Sequence, residues 1–247
     1  MRRFTCLVLA LSAALAAPVH ARAVSGDVTV VEEVVIEDEP ASDSGSNRFV
    51  ESRPAPVPSG IASFGPFRVI DAHHAALIDV TDTRSPAHFA TMLAAYPQII
   101  ELQMIDCPGT LDDVANLKLG RMIRAKGVAT HVPSGGSVRS GAVELFLAGN
   151  RRIAEPGAEF AVHAWEDENG RQPGDFAKDA PVNQAYLAYY REMGMSAVEA
   201  RAFYDMTNAV PNSDARWLNA AQMGQWVRLE NDVAMAARPL DSARALR

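Results

Sequence analysis

Two side chains in this chain, Ser140 and His163, have the types and contexts for attack on a carbonyl group. Ser140 stands before Gly141 and Ala142 at the head of the apolar run 141–147. A helix starting there leaves unpaired amides pointing at any oxyanion formed on the attacked carbonyl. The small residues after the serine let substrate and neighbouring backbone come close. His163 closes the short apolar stretch 160–162 and supplies the general base that a serine hydroxyl needs at neutral pH. Alone, a serine before Gly-Ala is ordinarily a helix cap, and a histidine after a strand is ordinarily structural. The pairing is what suggests chemistry.

Other constellations fail on elementary grounds. His73 and His74, with Asp71 and Asp79, have metal-ligand types, but tandem histidines on a strand point to opposite faces. Ser134 and Ser137 lie in a glycine-rich loop with no helix start behind them, and Arg151-Arg152 reads as solvated surface. Trp165, Trp217 and Trp226 read as packing residues. No phosphate loop, dinucleotide fingerprint or zinc motif is present, so no cofactor or metal is expected. With 23 basic and 30 acidic side chains, the net charge of −7 argues against a nucleic-acid partner.

The pattern around these residues is that of an α/β domain. Strands are expected at 67–70, 75–80, 99–105, 128–132 and 160–162, from β-branched apolar runs bounded by turns. Ser85 followed by Pro86 reads as the N-cap of a helix over 85–95. The break Cys107-Pro108-Gly109-Thr110 precedes a helix over 111–125, with Leu111, Val114, Leu117 and Ile123 as its buried face and Gly127 as its stop. A buried helix is expected over 141–147 and a longer one over 182–193. Ser196 with Glu199 forms a capping box for a last helix. Alternating strands and helices imply parallel strands with right-handed crossovers. The C-terminal helices read as a separate layer or arm. Their face carrying Tyr186, Leu187, Tyr190 and Met193 suits either a subunit contact or internal packing. No internal sequence repeat is visible.

The first quarter reads differently. Arg2 and Arg3, the uncharged run 7–17 and Ala21-Arg22-Ala23 make a secretory signal peptide over 1–23, with cleavage before Val24. Its apolar run is too short for a comfortable membrane span. Cleavage would leave 20 basic and 30 acidic side chains, a charge of −10, and would remove Cys6, so Cys107 would be the lone thiol, buried and inert. Residues 24–58 hold eight acids against Arg48 and Arg53, with Pro40, Pro54, Pro56 and Pro58, and read as an acidic tether. The domain proper is then 59–247 in an exported, periplasmic or secreted protein.

Four blocks of this chain resemble the ClpP/crotonase-like superfamily, most closely its serine-peptidase branch of Clp protease proteolytic subunits and signal peptide peptidase A. They are residues 99–110, ending in Asp106-Cys107-Pro108-Gly109-Thr110; Ser140-Gly141-Ala142 with Leu147-Ala148-Gly149; Arg152 through Glu155-Pro156-Gly157-Ala158 to Val162-His163; and Asp214 with Trp217-Leu218-Asn219-Ala220-Ala221-Gln222-Met223-Gly224. The resemblance implies a repeated ββα spiral with a C-terminal helical arm. It implies Ser140 as nucleophile, His163 as base and Asp214 as the residue orienting the imidazole, with Asn212, Asn208 and Asp205 as alternatives. A Ser-Lys dyad would need Lys118, Lys126 or Lys178, none at a matching position. The oxyanion hole would come from the amides of Gly141 and of Gly109 or Thr110. Thr110 replaces the family's second glycine, which requires a negative φ there. The implied partners are a peptide or protein substrate and further copies of the chain, with no ATPase outside the cytoplasm. The alternative is an inactive binding or assembly module of the same fold. Acyl-CoA chemistry is set aside, because an exported protein would not meet that substrate.

Overall fold

The computed structural model describes residues 55–230. The expected signal peptide, most of the tether and the strand-like run 28–36 lie outside them. At the start of the described residues, the Ala55 amide donates to the Gly135 carbonyl at 3.0 Å.

The chain winds through successive strand–strand–helix units. The hairpin β1 (Ala62–Phe64) and β2 (Phe67–Val69) leads into β3 (His74–Leu77) and helix α1 (Ser85–Ala95). The next unit is β4 (Glu101–Met104), β5 (Asp106–Cys107) and α2 (Asp113–Ala125). The third is β6 (Ala129–Val132), β7 (Ser137–Arg139) and α3 (Ala142–Leu147), followed by β8 (Arg152–Ala154) and β9 (Glu159–Val162). The first strands of the units form one sheet, in the order β1-β2-β3-β4-β6-β8, parallel from β3 onward. The second strands form another, in which β5, β7 and β9 run parallel and β10 (Arg216–Asn219) closes the edge antiparallel. This is the repeated ββα spiral, and the repeat lies in the backbone alone.

Strand burial follows side-chain alternation: on β4, Leu102 and Met104 are buried while Glu101 and Gln103 are partly exposed. All six residues of α3 are buried, between both sheets and α2, with Phe146 packed on Phe160 at 4.8 Å between ring centroids. The C-terminal layer is α4 (Pro181–Glu192) and α5 (Ala197–Thr207), followed by the short α6 (Ala220–Met223). The Ser196–Glu199 capping box opens α5 as expected. Tyr186, Leu187, Tyr190 and Met193 are buried within the domain, so internal packing consumes the face that also suited a subunit contact.

Two local expectations change. Ser85 is the first helical residue of α1, and its hydroxyl donates to Asp82 at 3.0 Å; the N-cap is Arg84. On α2 the cap is Asp112, which accepts from the Ala115 amide at 2.7 Å. Leu111 therefore precedes the helix, its amide held by the Thr81 carbonyl, and is 77% exposed. Val114 is 81% exposed, because the buried stripe is centred on Asn116, Gly120 and Ile123 and two residues displace Val114 to the opposite side.

Gly120 sits where α2 meets Tyr189, and a Cβ there would lie 1.9 Å from the phenol oxygen. Tyr189 is buried and donates to the Glu144 carbonyl at 2.6 Å, so it has no room to retreat. Gly120→Ala gains about 1 kcal/mol of helix propensity and loses more through overpacking and the broken hydrogen bond. Urea denaturation should show a net destabilisation of about 1–3 kcal/mol.

Candidate active site

Parallel pairing brings the site together. The C-terminal ends of β5, β7 and β9 lie side by side, so the turn after β5 delivers Gly109 and Thr110, that after β7 delivers Ser140 and Gly141, and β9 leads into His163. Because β10 runs antiparallel to β9, with Arg216 opposite Val162, the loop before β10 reaches the same end.

Ser140 is the one non-glycine residue at positive φ among the described residues, at 50°. The left-handed region costs about 1–2 kcal/mol for a residue with a Cβ. The conformation is pinned: the Ser140 amide donates to the Ala161 carbonyl at 2.8 Å, and the Val143 amide donates to the Ser140 carbonyl at 2.9 Å. Gly109, at φ +131°, comes so near that a Cβ would lie 3.0 Å from the Ser140 Cβ. A Cβ on Gly141 would meet the Thr110 methyl at 2.5 Å. The two turns are thus pressed together around the serine.

Thr110 bridges in parallel to Thr81, a pairing that uses the Gly109 carbonyl and the Leu111 amide. Its own amide therefore faces the other way and, like that of Gly141, donates to no group among the described residues. Thr110 is not among the positive-φ residues, so its Cβ is accommodated, and its hydroxyl binds the Thr81 and Asp112 carbonyls.

Asn116, 2% exposed, accepts from the Thr81 hydroxyl at 3.0 Å and donates to the Gly141 carbonyl at 2.6 Å. Sequence reasoning missed this residue. Its signal was an amide on the apolar stripe of α2.

The His163 Nδ1–H donates to the Ala164 carbonyl at 2.9 Å, which leaves Nε2 as the basic nitrogen. The Asn212 amide donates to the same carbonyl at 3.0 Å and lies 3.2 Å from Nδ1. Asn212, and not Asp214, stands beside the imidazole. Asp214 ends a turn in which its amide donates to the Pro211 carbonyl, and its exposed carboxylate accepts from the Ala215 amide at 2.7 Å. Asp205 pairs with Arg201, and Asn208 receives the Trp165 amide at 3.4 Å.

Ser140, Gly141, Thr110, His163 and Asn212 line one cavity of about 160 Å³. No lysine lines it. Among the described residues, Ser140 Oγ and His163 make no direct hydrogen bond; the imidazole's partners are Ala164 and Asn212. Cys107 is buried, donates to the Leu77 carbonyl at 3.3 Å, and has its thiol pKa pushed up by burial. It is an inert core residue.

Behind the serine the cavity is acidic. Burial raises the Glu144 carboxyl to about 7, opposed by a 2.7 Å hydrogen bond from the Tyr190 hydroxyl and reinforced by the charge of Asp113. Burial also raises Asp113, opposed by the Tyr186 hydroxyl.

No protein-family profile and no curated protein sequence matches the chain. Among solved structures it is similar to a mutant of the 1510-N membrane-bound stomatin-specific protease (15% identity, TM-score 0.44), covering 66% of this chain and 82% of that one. A second mutant of that protease, in complex with a substrate peptide, gives 16% identity and a TM-score of 0.39 over 62% of this chain and 73% of that one. A ClpP1 mutant from Listeria monocytogenes gives 13% identity and a TM-score of 0.42 over 63% and 88%.

Because Glu144 binds its proton more tightly folded than at its ordinary 4.5, folding stability falls as pH rises from about 4.5 to about 7 and then levels. Glu144→Gln retains an acceptor for Tyr190 without the ionisation. Thermal melts should show the variant gaining stability relative to the parent protein as pH is raised from 4.5 to 8, by about 2–4 kcal/mol. Ser140→Gly should be about 1 kcal/mol more stable than Ser140→Ala in urea, since only glycine relieves the positive φ.

Proposed function

We propose that this chain is a serine hydrolase of the ClpP/crotonase-like peptidase type, acting on peptide bonds. The observation that carries the reading is Ser140 held at positive φ on a strand-to-helix turn, sharing a cavity with His163 and with two unpaired amides. In the reaction, Ser140 Oγ attacks the scissile carbonyl as its proton passes to His163 Nε2. The amides of Thr110 and Gly141 receive the developing oxyanion. Collapse of the tetrahedral intermediate breaks the C–N bond, and the imidazolium protonates the leaving amine. Water then attacks the Ser140 ester, giving its proton to His163, which returns one to Ser140 as the acid leaves.

Asn212 takes the positioning part that the sequence resemblance assigned to Asp214. It fixes the imidazole through the shared Ala164 carbonyl without adding charge. The amino-terminal pattern of Arg2, Arg3, the run 7–17 and Ala21-Arg22-Ala23 supports export of the enzyme to the periplasm or beyond. A second reading, an inactive binding module, draws on the absent Ser140–His163 hydrogen bond among the described residues.

A fluorophosphonate probe separates the two. The hydrolase reading expects a single adduct on Ser140, abolished in Ser140→Ala and slowed at least about a hundredfold in His163→Ala, with melting temperatures nearly unchanged. No adduct on the folded parent protein favours the binding module. Asn212→Asp should shift the pH profile of labelling to higher pH, because a carboxylate beside Nδ1 stabilises the imidazolium.

A further inference from the structure

We infer that the cavity behind Ser140 is a subsite for a cationic side chain, lysyl or arginyl, on the residue whose carbonyl is attacked. This rests on the hydrolase reading for the position of the scissile bond, and on independent features of the cavity for the charge. Glu144 lies in the first turn of α3, four residues after Ser140. Glu144 is only 7% exposed and lines the cavity. Its carboxylate accepts from the Tyr190 hydroxyl at 2.7 Å and from its own backbone amide, and no basic side chain among the described residues pairs with it. Asp113 lines the same space, and Glu166 stands at its rim.

No lysine or arginine lines this cavity. The His163 imidazole is the one basic side chain lining the cavity and eases Asp113 alone; desolvation of the two carboxyls still outweighs it, and both have raised pKa values. A bound ammonium or guanidinium supplies the missing charge and holds Glu144 ionised. The walls suit it too: Trp165 and Tyr186, whose rings stack parallel at 6.3 Å, both line the cavity and give apolar surface for a methylene stem. An apolar or acidic side chain would instead leave the carboxylates desolvated and unpaired.

The test compares peptidyl diphenyl phosphonates ending in arginine, citrulline or norleucine, with the fluorophosphonate probe run alongside. The arginyl reagent should label Ser140 at least about tenfold faster than the isosteric neutral citrullyl one, with the ratio collapsing toward one in both Glu144→Gln and Asp113→Asn. If fluorophosphonate labels Ser140 but arginine shows no advantage over citrulline, the subsite is overturned and the hydrolase stands. If fluorophosphonate fails to label, the hydrolase reading falls, and calorimetry on Ser140→Ala then reads the pocket alone. There, acetyl-Ala-Ala-Arg amide should bind at least about tenfold tighter than its citrulline counterpart, and equal affinities or no binding overturn the subsite.

Discussion

One buried amide holds together the end of the domain that carries Ser140. Asn116 receives the Thr81 hydroxyl and donates to the Gly141 carbonyl, so a single side chain on α2 joins the loop after β3 to the start of α3. Thr81 in turn carries the bridge that fixes Thr110, and Gly141 follows the strained Ser140. Three consecutive units of the spiral are thereby locked in register at one point. A strained residue persists only where its surroundings over-determine it. The Asn116 amide, the Ala161 carbonyl and the close approach of Gly109 do that for Ser140.

The same end of the domain carries a buried ionisable group. Glu144 sits in a helix whose every residue is buried, beside tyrosines whose own ionisation burial suppresses. An apolar residue would suit that interior better if stability were the only consideration. Keeping a carboxyl there, with Asp113 lining the same space, costs folding stability wherever it ionises. Strain at Ser140 and the buried carboxyl of Glu144 both cost stability at the one cavity these residues share.

Much of the fold was legible in local pattern. Alternating apolar strands, Gly127 and the Ser196–Glu199 box each name their element, because backbone geometry dictates them within a few residues. Ser140 and His163 were legible because a small-residue helix start and a strand end are also local features. What was hidden depends on distance in the chain. Choosing Asn212 over Asp214 required knowing that residues 211–214 form a turn directing the acid to solvent. Leu111 and Val114 mimic a buried helical face, and only the pull of Thr81 on the Leu111 amide reveals that the helix begins later. Asn116 and Glu144 read as interruptions of apolar stripes until the partners 35 and 46 residues away are placed.

A crystal structure of the phosphonylated protein tests most directly whether the Thr110 and Gly141 amides form a prepared anion site over Ser140, with His163 set to serve it. Phosphorus should be bonded to Ser140 Oγ, its unesterified oxygen within about 2.7–3.1 Å of both amides, and His163 Nε2 turned toward the serine oxygen. An adduct whose oxygen points to solvent, with those amides unbound or the imidazole turned away, would contradict it.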